Sequence, residues 1–209
     1  MPSEDAAILN GRSERRSSRD CPGGAGRVRR EGLTLEAIVH QLSTPEEVAK
    51  ALSEQLIVRI GKAIHAHGTC RLALSGGQTP RQLYERLASP EVAERIDWNR
   101  LHLFWSDERC VPTDDEASNF HFVKTALIDK LDIPAENIHA INGQIDPEAA
   151  ALAYAEEIGD KPFDVVLLGL GDQGSTASLF TSTPGLRDEH RWVIATKSPE
   201  FPTDRVSLS

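Results

Sequence analysis

The sequence predicts an α/β domain with a three-layer, Rossmann-like architecture, in which a mostly parallel sheet carries helices on both faces. Short apolar runs typical of strands alternate with longer segments of helical periodicity, as in βαβ proteins. The most apolar run, at 163–168, is typical of a strand buried on both faces. The chain has 209 residues, which is enough for one such domain and a tail.

The first 32 residues differ in composition from the rest. They contain seven arginines and five acidic residues, a net charge of +2, and since the whole chain carries −9, residues 33–209 carry −11. A segment without aromatic residues or apolar periodicity buries too little surface to offset its ordering entropy. We therefore expect a disordered Arg/Ser/Gly-rich tail over 1–32 and a folded domain over 33–209. The five acids disfavour a transit peptide.

The helices and strands are predicted from periodicity and capping residues. Thr44 as N-cap, Pro45 at the first helical position and Glu47 three residues after the cap predict a helix that runs to about Ala66 and ends at Gly68. The later elements, in chain order, are a strand over 71–75, a helix over 80–88, a strand over 101–105, a helix over 118–129, a short strand within 134–142, a helix over 147–158 and strands over 163–168, 192–196 and 205–208.

Composition excludes several function classes. The net charge of −9 and pI of about 5.3 argue against nucleic acid as the main partner. The sequence has no apolar run near the ~18–20 residues of a membrane span. Cys21, Cys70 and Cys110 lack C-x-x-C spacing, which favours a reducing cytoplasm over disulfides or a zinc site. We expect no metal, no nucleic acid partner and no membrane partner.

Two loops that follow predicted strands carry polar or glycine-rich residues where α/β proteins bind ligands. In the loop 75–80, SGGQTP, two glycines let the backbone approach an anion, although an ordinary strand-to-helix turn would have the same glycines. The loop 105–112, WSDERCVP, has three consecutive charged residues, which in isolation indicate a solvated loop. Ser118 and Asn119 open the next predicted helix.

A third loop, LGLGDQGSTASLF over 168–180, follows the most apolar strand and precedes a predicted helix start. Its G-x-G-x-x-G spacing matches the dinucleotide-binding fingerprint. The match is weak, because the strand lies late in the chain and no acidic residue follows at the end of another strand about 20 positions on.

Together the three loops are more specific than any one of them. In order and spacing, SGGQTP, WSDERCVP with SN, and LLGLGDQGSTASLF resemble the signature blocks of the 6-phosphogluconolactonase family over 33–209. The late segment SPEFPTDRVSLS is similar to that family's stretch before an Arg-led strand. The related glucosamine-6-phosphate deaminases share the broad fold, but their blocks differ from these.

The resemblance implies hydrolysis of 6-phosphoglucono-δ-lactone to 6-phosphogluconate, in the pentose phosphate pathway, without a metal or other cofactor. It implies that a sugar phosphate is held by Ser75, Gly76, Gly77, Thr79 and Arg205. In the same family pattern Arg109 lies near the lactone, where a fixed cation stabilises charge on the carbonyl oxygen, and Asp107 orients Arg109 or a sugar hydroxyl. Asn119 braces the loop, and Gly169, Gly171 and Gly174 shape the turn beside the sugar.

The chain departs from the family pattern G-x-D-G-H-T-A-S-L-F at two positions, with Gln173 for the Asp and Ser175 for the His that acts as general base. Serine is not basic enough to replace an imidazole, so we expect activity reduced by about 10²–10⁴-fold. Of the remaining histidines only His121, near Asn119, is a candidate substitute. Ser175 as a nucleophile would need a neighbouring base.

The family also continues beyond the strand at which this sequence stops. We expect the chain to be either a fragment or a degenerate member, with an inner strand edge exposed near 206–209. Three functions stay open: a weakened lactonase, a non-catalytic sugar-phosphate-binding protein, and a less favoured amino-sugar-phosphate isomerase or deaminase. Cys110, beside Arg109, is either a packed side chain or a reactive thiol.

Overall fold

A computed structural model describes residues 8–9, 26–30, 33–172, 174–181, 183, 191–199 and 203–209. The strands are β1 Ile8–Leu9, β2 Gly26–Arg30, β3 Leu33–Ala37, β4 Cys70–Leu74, β5 Leu101–Trp105, β6 Asp107–Arg109, β7 Ile138–His139, β8 Val165–Val166, β9 Leu168–Gly169, β10 Val193–Lys197 and β11 Asp204–Leu208. The α-helices are α1 Pro45–His67, α2 Arg81–Leu87, α3 Pro90–Ala93, α4 Asn119–Ala126 and α5 Pro147–Ile158. Short 3₁₀ turns lie at Trp98–Arg100, Ile128–Lys130 and Ala135–Asn137.

A parallel sheet with strand order β7-β5-β4-β8 forms the centre of the domain. Leu72 of β4 lies opposite Leu103 on one side and Val165 on the other. Both leucines are fully buried, and β4 lies against α1, whose Leu56 and Ile60 are buried too. The predicted α/β class with a mostly parallel sheet is confirmed.

A second, antiparallel sheet with order β10-β11-β6 adjoins the first, and the sequence did not predict it. The chain leaves β5 at Trp105 and enters β6 at Asp107, so Ser106 lies between the two sheets. The backbone N–H of Ser106 donates to the carbonyl of Leu74 in the parallel sheet at 2.8 Å, and its carbonyl accepts from Leu208 in the antiparallel sheet at 2.8 Å. One bent strand therefore belongs to both sheets.

Strand β11 is the middle strand of this antiparallel sheet. It pairs with β10 from Asp204 to Leu208 and with β6 from Arg205 to Ser207. The expectation of an exposed inner edge at 206–209 is therefore wrong for this strand.

Two short strands lie in the segment predicted to be disordered. β1 pairs in parallel with β9, and β2 forms an antiparallel hairpin with β3. The other residues of 1–32 lie outside the described residues, so the domain boundary at residue 33 stays a prediction.

Capping residues begin and end the helices where the sequence predicted. The side chain of Thr44 accepts from the backbone N–H of Glu47 at 3.1 Å, and Gly68, at φ 92°, ends α1. Asp146 caps α5 in the same way. None of the helices in the described part of the chain is long and apolar enough to span a lipid bilayer.

Three elements differ from the prediction. The strand expected over 163–168 is divided into β8 and β9, because β8 pairs with β4 whereas β9 pairs with β1. The helix expected over 118–129 ends at Ala126 and continues as a 3₁₀ turn. The residues after Gly174, expected to start a helix, form a tight turn from Thr176 to Leu179.

Tyr154 ties α5 to the end of β5. Its hydroxyl accepts from the backbone N–H of Trp105 at 2.7 Å and donates to the carbonyl of the same residue at 3.0 Å. Tyr154 and Trp105 are both buried, so water cannot replace this hydroxyl.

Replacing Tyr154 by Phe leaves two buried backbone groups without this partner. We expect the free energy of unfolding to fall by about 1–3 kcal/mol, measured by urea denaturation followed by circular dichroism. Leu152→Ala, on the same helix but with Leu152 63% exposed, is the control and should change it by less than about 0.5 kcal/mol. Equal, small effects of the two variants would show that the hydroxyl contributes nothing.

Candidate active site

The loop after β4 is fixed by a tyrosine from the following helix. The hydroxyl of Tyr84 accepts from the backbone N–H of Ser75 at 3.1 Å and donates to its carbonyl at 2.7 Å. Gly77 has φ 82°, a conformation that glycine adopts without strain. The side chain of Thr79 is exposed. The diglycine corner is therefore held by the Tyr84 hydroxyl, while Gly77 and Thr79 remain exposed.

Gly76 allows close packing between this corner and α4. A Cβ at position 76 would lie 1.9 Å from Oδ1 of Asn119, far inside van der Waals contact. The amide of Asn119 therefore occupies the space that any side chain at position 76 would need. Its Nδ2 donates to the carbonyl of Asp107 at 2.8 Å, so Asn119 links the first loop to the second.

The three charged residues after β5 are not a solvated loop, and that interpretation is wrong for two of them. Asp107 is 6% exposed and Glu108 is 3% exposed. The carboxylate of Glu108 accepts from the backbone N–H groups of Asn119 and Phe120, both at 2.7 Å, from that of Arg109 at 2.6 Å and from Ser118 Oγ at 3.0 Å. Burial raises the pKa of Glu108, and these hydrogen bonds oppose the rise. Glu108 thus fixes the start of α4.

Asp107 joins the second and third loops. Its Oδ2 accepts from Ser178 Oγ at 2.6 Å, and its Oδ1 lies 3.3 Å from Nδ2 of Asn119. The resemblance predicted that Asp107 orients Arg109 or a sugar hydroxyl. In the structure its carboxylate instead accepts hydrogen bonds from Ser178 and Asn119. A direct contact of Asp107 with substrate stays a prediction.

Two arginines are paired on adjacent strands of the antiparallel sheet. Arg109 of β6 and Arg205 of β11 are directly opposite in register, which places their side chains on the same face. Arg205 is only 8% exposed, and burial, followed by the charge of Arg109, lowers its pKa. The Nε atoms of both are buried without a hydrogen-bond partner in the described part of the chain. Two neighbouring cations with unused donors favour an anionic ligand.

The third loop is closed by its glycines. The backbone N–H of Gly171 donates to the carbonyl of Ser175 at 2.7 Å, and that of Gly174 donates to Gly171 at 2.9 Å. A Cβ on Gly171 would lie 2.4 Å from Oγ of Ser175, and Gly174 has φ 77°. The positive φ of Gly174 favours glycine at that position, whereas a side chain at position 171 would have to displace the hydroxyl of Ser175. Ser175 is half-buried. Gln173 lies outside the described residues.

The predicted residues largely form one connected set. Gly76 packs against Asn119, Asn119 bonds to Asp107, and Asp107 bonds to Ser178 of the third loop. Arg205 reaches Ser178 as well, with Nη1 at 3.5 Å from Oγ. The roles of Thr79 and Ser175 toward a ligand stay predictions.

Sequence reasoning missed three residues that hold this set together, namely Tyr84, Glu108 and Ser178. Glu108 and Ser178 lie inside the sequence blocks quoted above. Their role follows from their burial, which the sequence alone does not show. Tyr84 had no signal beyond its position in the helix after the diglycine corner.

Cys110 and His121 were the alternative reactive groups. Burial, with neighbouring acidic residues, raises the pKa of the Cys110 thiol to about 11, which disfavours a reactive thiolate. His121 lies in the first turn of α4, where its backbone N–H donates to Ser118 Oγ at 3.1 Å, and a catalytic role for its ring stays a prediction. In the described ranges no three His, Cys, Asp or Glu side chains are grouped as metal ligands would be.

Comparison with known proteins gives a consistent result. The family model described as glucosamine-6-phosphate isomerases/6-phosphogluconolactonase matches residues 43–209. The chain is 36% identical over 171 residues to 6-phosphogluconolactonase of Treponema pallidum, covering 78% of this chain and 70% of the relative. It is 42% identical over 140 residues to that of Haemophilus influenzae, covering 65% of this chain and 60% of the relative.

A solved structure shares the fold. The crystal structure of 6-phosphogluconolactonase from Thermotoga maritima superimposes with a TM-score of 0.69 at 32% identity, covering 77% of this chain and 72% of that chain.

Substituting Gly76 by Ala tests the packing of the diglycine corner. The added Cβ must displace the amide of Asn119, so we expect a loss of about 1–3 kcal/mol, seen as a melting temperature lower by several degrees. Gly61→Ala, inside α1 with open space around the new Cβ, is the matched control and should leave the melting temperature unchanged or higher. Equal melting temperatures for Gly76→Ala and the parent would contradict the close packing of Gly76 against the Asn119 side chain.

Proposed function

Because the chain belongs to the glucosamine-6-phosphate isomerase/6-phosphogluconolactonase family, we propose that it binds 6-phosphoglucono-δ-lactone and hydrolyses it to 6-phosphogluconate. The observation that carries this proposal is the pair Arg109 and Arg205, whose buried Nε atoms lack partners in the described part of the chain. Asn119 and Asp107 connect this pair to the diglycine corner. An anionic sugar derivative supplies hydrogen-bond acceptors and negative charge beside these two guanidinium groups.

The substrate phosphate binds at the diglycine corner. Backbone N–H groups around Gly76 and Gly77, the hydroxyls of Ser75 and Thr79, and the guanidinium of Arg205 are its donors in this proposal. Glycine permits the close approach of backbone to phosphate, and Arg205 is held in place by burial.

The lactone carbonyl faces Arg109. Water adds to the carbonyl carbon, and the negative charge that develops on the carbonyl oxygen is stabilised by the guanidinium. The bond from that carbon to the ring oxygen then breaks. One proton of the water goes to the ring oxygen and the other to solvent, and the product is the open-chain carboxylate. Asp107 and Asn119 act in this scheme by holding the strand and helix that carry the site.

The proton of the attacking water has no imidazole to accept it at position 175. The family's third block has His where this chain has Ser175. A hydroxyl does not act as a general base near neutral pH, so hydrolysis depends on positioning and charge stabilisation alone. We therefore propose an enzyme slower than an imidazole-bearing relative by about 10²–10⁴-fold.

Composition supports a cytoplasmic location and a small-molecule partner. Cys70 and Cys110 are free thiols, as a reducing compartment maintains them. The net charge of −9 opposes binding to nucleic acid or to anionic membranes, and a phosphorylated sugar needs only the local cations of the site.

The loss of the imidazole also supports a second candidate, a non-catalytic sugar-phosphate-binding protein. Calorimetry with 6-phosphogluconate, run beside a lactonase assay corrected for spontaneous hydrolysis, separates the two. Binding without turnover identifies the non-catalytic protein. Turnover of glucosamine 6-phosphate would instead support the isomerase or deaminase alternative.

Restoring the imidazole tests the role of position 175. We expect Ser175→His to raise kcat for lactone hydrolysis by at least about tenfold, because the ring accepts the proton of the attacking water. The matched control is Ser43→His, since Ser43 is an exposed serine ahead of α1 and away from the site. If Ser175→His binds 6-phosphogluconate but its kcat is that of the parent, position 175 does not carry the base.

A further inference from the structure

Ser178 is a fully buried serine in the third loop, with 0% of its surface exposed. Its Oγ donates to Oδ2 of Asp107 at 2.6 Å, and its backbone N–H donates to Oγ of Ser207 at 3.2 Å. Nη1 of Arg205 lies 3.5 Å from the same Oγ. One side chain therefore contacts the acidic residue of β6 and the buried arginine of β11.

Both contacts lie in the antiparallel sheet, where Asp107 is directly opposite Ser207. The buried carboxylate of Asp107 needs donors, and the bond from Ser178 is the shortest that it accepts. Nη1 of Arg205 donates to the same hydroxyl, so Ser178 Oγ bridges the carboxylate and the guanidinium. Ser178 thus fixes the carboxylate of Asp107 relative to the guanidinium of Arg205.

Ser178 also fixes the direction of the third loop. It lies in the turn from Thr176 to Leu179, in which the backbone N–H of Leu179 donates to Thr176 at 2.9 Å. Ala177 has φ 48°, a left-handed conformation that costs a residue with a Cβ roughly 1 kcal/mol. The next residue, Ser178, is bonded on both its Oγ and its N–H and so anchors this turn. The anchor lies three residues after Ser175 in the same loop.

We propose that Ser178 is a positioning residue of the lactone-hydrolysing site: it fixes Asp107 relative to Arg205 by bonding to both, and it anchors the loop that carries position 175. The inference rests on the proposed function. It assigns to Ser178 an effect on turnover through Asp107, and no contact with substrate.

Kinetics of Ser178→Ala, in the full chain and in the Ser175→His background, test the proposal. We expect kcat to fall at least about tenfold while KM changes less than about threefold, because the fixed geometry matters most in the transition state. Ser53→Ala is the matched control, since Ser53 is equally buried, bonds Lys50 and Arg86 outside the site, and should leave kcat unchanged.

A double-mutant cycle with Asp107→Asn separates positioning from general destabilisation. If Ser178 acts through Asp107, adding Ser178→Ala to Asp107→Asn lowers kcat by less than about twofold more, whereas independent effects would multiply. If Ser178→Ala does not fold, Ser178→Cys, which keeps the volume with a weaker donor, replaces it in the same cycle.

The outcomes distinguish this inference from the proposed function. An active parent with an unchanged Ser178→Ala kcat, or with multiplicative effects in the cycle, overturns the inference alone. A parent that neither binds 6-phosphogluconate nor hydrolyses the lactone overturns the proposed function, and the inference with it.

Discussion

Two adjacent buried carboxylates, Asp107 and Glu108, are the constraint on which the site depends. A carboxylate removed from water is stable only when hydrogen-bond donors surround it, and both side chains are almost fully buried. Glu108 takes most of its donors from the start of α4, whereas Asp107 takes its shortest hydrogen bond from the third loop. Because the two residues are neighbours on one strand, satisfying them brings α4 and the third loop to the same place.

The bend at Ser106 explains why a strand can carry such residues. Up to Trp105 the strand is part of a parallel sheet and is apolar throughout its buried side. Beyond Ser106 it pairs with β11, and its polar side chains face loops that supply hydrogen bonds. The chain therefore passes, without an intervening loop, from a strand that forms part of the apolar core to a strand that carries the polar residues of the candidate site. The same bend sets Arg109 opposite Arg205.

The sequence predicted most elements well, because their signals are local. Thr44, Asp146 and Gly68 are capping residues whose effect depends on a few neighbouring residues, and α1 and α5 lie where they predicted. In the antiparallel sheet, the pairing of β6 with β11 joins residues about 100 positions apart, which periodicity does not report. The sequence predicted a helix start where the structure has the turn at Thr176. Glycines followed by polar residues are common before both helices and tight turns, so the sequence did not distinguish them.

The sequence predicted which loops form the candidate site, and the fold brings them together, but it did not predict the contacts between them. A run of charged letters such as Asp107 to Arg109 is ordinarily solvated, and only the donors supplied from distant segments make its burial favourable. The burial of Ser178 and the interlock of Gly76 with Asn119 are likewise properties of the folded chain. Matching the three blocks together selected loops that the fold brings into contact, because their joint spacing reflects this shared geometry.

Among the described residues, the hydrogen bonds that hold the third loop come from backbone groups and from side chains other than that of Ser175. The loop is closed by backbone bonds of Gly171 and Gly174 and is anchored by Ser178. The identity of the side chain at 175 can therefore change without loss of the network that carries Asp107 and Arg205. Under the proposed function, a chain with serine there retains a binding scaffold while lacking the group that activates water. Binding and proton transfer are then separable, because different atoms of the same loop serve each.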